Sequence, residues 1–134
     1  RNEYTTTDID LVLSGREKAN HLLLKLGFEK EGRYWYHSAL GIGVEISGDV
    51  LADADERKVV KINLPSGRHV YVIGIEDIIL DRLRACVHWR SEADCEWGLR
   101  MYKTHFEKLD LDYMRKQAQD DLTLSKFNEW MNQP

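Results

Sequence analysis

Three carboxylates, Asp8, Asp10 and Glu45, are the residues of this chain whose types and spacing point most directly to chemistry. Asp8 and Asp10 are one residue apart in "TTTDIDLVL", which reads as a strand. Positions i and i+2 of a strand share a face, so the two acids stand side by side while Ile9 and Leu11 turn toward the core. Adjacent ionised carboxylates repel. The pair is stable if a cation lies between them, if one is protonated, or if both point into water. A half-exposed strand produces the same alternation with no chemistry attached, and that reading stays open. Glu45 is a lone acid between Val44 and Ile46 in "GIGVEIS". If its strand neighbours the first, three carboxylates converge on one or two hard divalent ions such as magnesium or manganese.

The elements that must position these acids follow from the pattern of the chain. Residues 5–13 are Thr-rich and then apolar, and Ser14 with Glu17 has capping-box spacing ahead of the helix "REKANHLLLKL". Gly27 ends that helix, and "RYWYH" and "GIGVEIS" read as strands. "KVVKINL" and "HVYVIG", joined by "PSG", read as a hairpin. From Ile75 onward the apolar period lengthens to between three and four, which predicts three or four amphipathic helices. The expected class is α+β, or mixed α/β: a mixed sheet in residues 1–74 packed against helices, with a helical layer in 75–134, all within one domain spanning 1–134. The chain opens at Arg1 and enters a strand within a few residues, so the reading also expects an element ahead of it.

Composition narrows the function classes. A net charge of -4 provides no general basic surface for nucleic acid, so any such contact would be local. The apolar runs are too short to span a bilayer and the amino end lacks signal-peptide order, which makes a cytoplasmic location the expectation. Cys86 and Cys95 are read as reduced thiols, because a disulfide framework or zinc site would need more partners. His21, His37, His69, His88 and His105 lack metal-ligand spacing, and Trp35, Trp89, Trp97 and Trp130 are read mainly as core. Arg57, Lys58 and Lys61 form a small basic patch, either a solvated edge or a contact for a polynucleotide backbone. A restriction-type nuclease would place a lysine two residues after its second acid, but Ser47 follows Ile46 there. The loop "DVLADADE" lacks the glycine of a calcium-binding hand.

In order and combination, "TTTDIDLVL", a following helix, "GVEIS" and "EDIILDRLRACVHWRSEADCE" resemble the nucleotidyltransferase-fold, polymerase-beta-like superfamily. Within it the resemblance is to the bacterial group of AbiEii-type toxins and uncharacterised relatives, over roughly residues 1–121. The resemblance implies that Asp8, Asp10 and Glu45 hold magnesium or manganese and are catalytic. In the helical segment it matches Glu76, Asp77, Arg82, Leu83, Ala85 and Asp94, with Arg82 and Asp94 in substrate binding. It further implies a nucleoside triphosphate donor and a hydroxyl acceptor on an RNA end, a protein or a small molecule. An antitoxin would be a partner, and a catalytically inactive binding module is the alternative. Two departures stand out. The family's Gly-Gly or Gly-Ser phosphate turn lies upstream of the first acid and has no counterpart in these residues, and Arg82 replaces the usual lysine. Read from the helix alone, Arg82 borders the stripe of Ile75, Ile78, Ile79, Leu83 and Cys86. It either snorkels outward or turns inward to meet Asp94 or a phosphate.

Overall fold

The computed structural model describes residues 7–133, and these form an α+β fold. The chain falls into two compact units, Arg1–Ala52 and Asp53–Pro134. The strand expectation for residues 5 and 6 lies outside the described residues.

The first unit is a four-stranded mixed sheet with one helix. Strands β1 (Asp8–Val12), β2 (Glu29–Glu31), β3 (Tyr34–His37) and β4 (Ile42–Gly48) take the order β1-β4-β3-β2. The β1–β4 pair is parallel and the other two are antiparallel, with helix α1 (Arg16–Lys25) lying between β1 and β2 in sequence. The expected capping box is not formed. Gly15 is the N-cap, at φ 78, and no side chain caps the helix. A left-handed turn is cheap for glycine, and here it displaces Ser14 from the capping position. Among the described residues, Trp35, Val44 and Ile46 are the buried apolar residues of this unit, while Leu22, Leu24 and Leu26 remain exposed. The short strand β2, "EKE", carries no apolar residue and no sequence signal. It forms because Gly32, at φ 59, turns the chain back onto β3.

The second unit begins with a 3-10 turn, Glu56–Lys58, and the hairpin β5 (Val60–Asn63) and β6 (His69–Val72), closed where the Leu64 N–H donates to the Arg68 carbonyl at 2.7 Å. Helices α2 (Ile75–His88), α3 (Glu92–His105), α4 (Leu111–Asp120) and α5 (Leu124–Met131) follow. Their core joins Ile79, Leu80, Leu83, Cys86, Tyr102, Met114, Ala118, Phe127 and Trp130. In the predicted stripe, Ile79, Leu83 and Cys86 are buried and Leu80 joins them, because α2 meets three other helices and needs a wide apolar face.

Two carboxylates in the first turn of α2 are buried within this unit. Asp77 accepts hydrogen bonds from the Tyr113 hydroxyl and from the Asp55 backbone N–H at 3.0 Å. Glu76 accepts from the Asp110 backbone N–H at 3.1 Å, with Lys58 Nζ 3.9 Å away. Burial, then the hydrogen bond to Asp77, pushes the Tyr113 phenol well above its ordinary value. These acids tie the 3-10 turn and the start of α4 to α2, which satisfies groups that would otherwise be costly to bury.

The reduced-thiol expectation is overturned, since Cys86 and Cys95 form a disulfide. The short link between α2 and α3 brings the last turn of one helix to the first turn of the next. The two Cα atoms lie 4.7 Å apart, within bridging range, so a single pair suffices without any larger framework. Closing so short a loop stabilises by about 2.5 kcal/mol in the chain-entropy treatment. Reduction, or replacement of both cysteines by alanine, is therefore expected to lower the unfolding free energy of the helical unit by that amount, read as a lower urea midpoint, while leaving its circular dichroism helical. An unchanged midpoint would refute a stabilising role.

Candidate functional site

The sheet of the first unit brings the three predicted acids onto one face. Asp10 is directly opposite Glu45 across the parallel β1–β4 pair, and Asp8 is opposite Gly43. The remaining ladders extend these positions into two rows: Asp10, Glu45, Tyr34 and Glu31, then Asp8, Gly43, Tyr36 and Glu29. The other face carries Ile9, Leu11, Val44, Ile46, Trp35 and Lys30 by the same alternation. One side of the sheet is acidic and aromatic, and the other holds the unit's small core.

Gly43 shapes the acidic face. A Cβ added there would come 2.8 Å from the Asp8 carboxylate oxygen, so Asp8 leans over the place where a side chain would otherwise stand. Glycine in a strand interior marks such a close approach. Glu45 is held by Arg33, whose Nε lies 3.1 Å from its carboxylate, and the same guanidinium donates to the Tyr34 hydroxyl at 3.1 Å. The Tyr34 hydroxyl, and then Glu45, raise the Arg33 pKa further. Arg33 thus supplies positive charge at the point where the acids crowd. Among the described residues, no group of three or more His, Cys, Asp or Glu side chains is gathered closely enough to hold a metal ion.

Arg82 and Asp94 lie in the second unit and are bonded to each other, with Arg82 Nη1 donating to Asp94 Oδ1 at 2.8 Å. Arg82 therefore turns to the carboxylate anticipated as one of its two inward partners. Asp94 also belongs to the α3 cap, where its backbone N–H donates to the Ser91 hydroxyl at 3.3 Å. Burial alone would raise the Asp94 pKa, but the Ser91 hydroxyl and Arg82 outweigh it and bring the value below normal. The proposed basic patch is largely neutralised internally. Arg57 pairs with Asp55 at 2.7 Å, and Lys58 pairs with Asp110 at 3.1 Å while its ammonium lies 4.5 Å over the Tyr113 ring. Trp35 and Trp130 are core residues as expected, whereas Trp89 is 79% exposed, because it follows the end of α2 and lies beyond the apolar stripe.

These pairings carry a pH dependence. The Arg57 side chain and then its backbone N–H lower the Asp55 pKa from 3.8 to about 2. The Tyr113 backbone N–H and then Lys58 lower Asp110, and Asp94 is depressed as described. A carboxylate with a depressed folded value contributes stability that is complete above its unfolded value and is lost as pH falls through its folded value. The thermal midpoint of the helical unit should hold steady down to about pH 4 and drop between about pH 4 and 2, less steeply in high salt because Asp55 and Asp110 are screened. In Asp94→Asn the drop should be shallower; an identical profile would remove Asp94 from the account.

Arg33 and Gly43 were not singled out by sequence reasoning. The two-residue spacing from Gly43 to Glu45 is a usable signal for a close approach, whereas nothing in "EGRYW" marks Arg33 as the partner of Glu45. Comparison of the chain with protein-family models, with curated proteins and with solved structures finds no match to any of them.

Proposed function

We propose that the chain is a metal-dependent nucleotidyltransferase that moves a nucleoside monophosphate from a nucleoside triphosphate to a hydroxyl acceptor. The observation that supports this reading is the register of β1 against β4, which sets Asp10 opposite Glu45 with Asp8 on the same face. The donor set suits the group: three carboxylates offer only hard oxygen ligands, the chemistry that magnesium and manganese select. Asp8, Asp10 and Glu45 would hold it after their carboxylates draw closer together than they stand here. When bound, it would neutralise phosphate charge and lower the pKa of the acceptor hydroxyl. The chain's own part is to orient these oxygens, and Glu45 must exchange its Arg33 partner for the ion. The acceptor class spans an RNA end, a protein hydroxyl and a small molecule.

A second reading, a non-catalytic binding module with an antitoxin-like partner, draws support from the Arg33 pair that engages Glu45. A cytoplasmic setting belongs to the same proposal, although the Cys86–Cys95 bridge is of a kind that persists mainly in oxidising compartments. Among the described residues no helix is long and apolar enough to cross a membrane.

The test is a thermal-shift titration with magnesium or manganese, with and without each nucleoside triphosphate. A ligand that binds only the folded chain raises the midpoint. A metal-dependent rise that a triphosphate enlarges supports transfer chemistry, and a flat response to every combination favours the binding module.

A further inference from the structure

The first unit contains a cavity of about 240 Å³ lined by Arg16, Asn20, Lys30, Gly32, Arg33, Trp35 and Ile46. Its cations come from three places: the first residue of α1, the middle of β2, and the turn between β2 and β3. Among the described residues no carboxylate lines it. Glu29 and Glu31 flank Lys30 in sequence, but strand alternation sends them to the opposite face. Trp35 and Ile46 are buried, so the cavity has apolar lining that strengthens any charge interaction made against it.

Two of the cations are held in place. Arg16 Nη2 donates to the Ile46 carbonyl at 3.2 Å, and Arg33 is fixed by Glu45 and Tyr34. The Lys30 ammonium lies 5.9 Å from the Trp35 ring centroid and has no anionic partner among the described residues. At Gly32 nothing lies within 4 Å of where a side chain would project, so a ligand can approach the backbone there. Arg33 is already paired with Glu45, so Arg16 and Lys30 are the like charges around the concavity that an incoming anion would compensate, and guanidinium forks match phosphate oxygens in shape.

Size and charge narrow the ligand. The volume is below the roughly 300–1,000 Å³ usual for drug-sized molecules, which favours a compact group. With Arg33 already paired to Glu45, a monocarboxylate would leave one of the two remaining charges, Arg16 or Lys30, uncompensated. A duplex or long polynucleotide would meet a chain of net charge -4, with an acidic sheet face in the same unit. We propose that this cavity binds a compact phosphate-class anion, either free phosphate or diphosphate, or the terminal phosphates carried by a larger ligand. The inference does not rest on the transfer reaction and needs no metal.

The experiment is a titration of isotope-labelled protein with sodium diphosphate in a chelator-containing buffer at constant ionic strength, following the Gly32 amide and the Trp35 indole by NMR. Saturable shifts centred on these two groups are expected, with phosphate binding more weakly than diphosphate. The double variant Lys30→Gln/Arg33→Gln removes two exposed charges, leaves the spectrum in place apart from residues near Lys30, Arg33, Tyr34 and Glu45, and should weaken binding at least about tenfold. Adenosine diphosphate forms the second arm. Tighter binding than free diphosphate, with shifts reaching past the cavity, would show that the phosphates arrive on a nucleoside; equal or weaker binding would identify the free anion; both results uphold the site. Shifts that fail to saturate, that sodium chloride reproduces, or that persist unchanged in the double variant would overturn it. The chelator keeps this outcome separate from the fate of the carboxylate assignment.

Discussion

In Asp10→Asn, the proposed nucleotidyl transfer is expected to fall by at least about a hundredfold while the fold persists. The substitution keeps the shape of the side chain and removes one negative charge from the row in which Asp10 faces Glu45. Asp10 is exposed, and β1 contributes to the core face through Leu11 on its other side, so little packing is lost. The sign of the stability change is informative. Like charges placed directly opposite each other destabilise a sheet, so without metal the variant should melt at the same temperature as the parent or slightly higher. With magnesium or manganese, the parent should gain stability that the variant does not. Retention of full activity by Asp10→Asn would remove the acid from the site, and a lower metal-free midpoint would mean that Asp10 has a structural role. Arg33→Gln is a useful companion, because it frees Glu45 without touching any of the three acids.

The largest stability effect is expected at Trp130, which is 2% exposed on the last helix. Its ring covers Gly98 of α3 so closely that an added Cβ would lie 2.5 Å from Trp130 Cη2 and 3.0 Å from the Cβ of Arg82. Helix α5 has only eight residues and buries just Phe127 and Trp130, too short a segment to hold its shape without that docking. Trp130→Ala should cost about 3–5 kcal/mol, measured by chemical denaturation. Gly98→Ala tests the same contact from the other side. Alanine improves helix propensity by about 1 kcal/mol over glycine, yet the ring has no room for the methyl group, and overpacking of about 1–3 kcal/mol should prevail. Combining the two should cost less than the sum, since the new methyl enters space that the indole has left. If Gly98→Ala proved stabilising, the ring would have an alternative position and the close packing would not be what fixes α5.

Much of this architecture is legible in the sequence, for identifiable reasons. Alternation in "DIDLV" and "GVEIS" indicates strands, and the change of period at Ile75 indicates the helices, because both signals arise from burial on one face. Asp8 and Asp10 can be picked out since acids at i and i+2 must share a side, and Glu45 as a lone acid between Val44 and Ile46. That β1 lies beside β4 and parallel to it is a matter of tertiary pairing, which local pattern does not encode. The same limit hid the Cys86–Cys95 bridge, which depends on how α3 follows α2 rather than on any motif. It also hid Arg33, whose value lies in the position of the Gly32 turn near Glu45 in the middle of β4. Strand β2 escaped notice because "EKE" has no apolar residue, and Ser14 was misassigned because Gly15 takes the left-handed turn ahead of α1.

The unequal cores of the two units imply an uneven resistance to transient opening. The sheet unit has Trp35, Val44 and Ile46 fully covered, whereas the helical unit has nine such residues in one cluster and a covalent cross-link. Opening free energy follows buried apolar contact, so backbone amides of β1–β4 should exchange with deuterated solvent through inexpensive local excursions, and those of α2 only through near-global ones. The candidate chemistry thus lies in the unit with the smaller core, where the Arg33–Glu45 pair separates at the lower local cost.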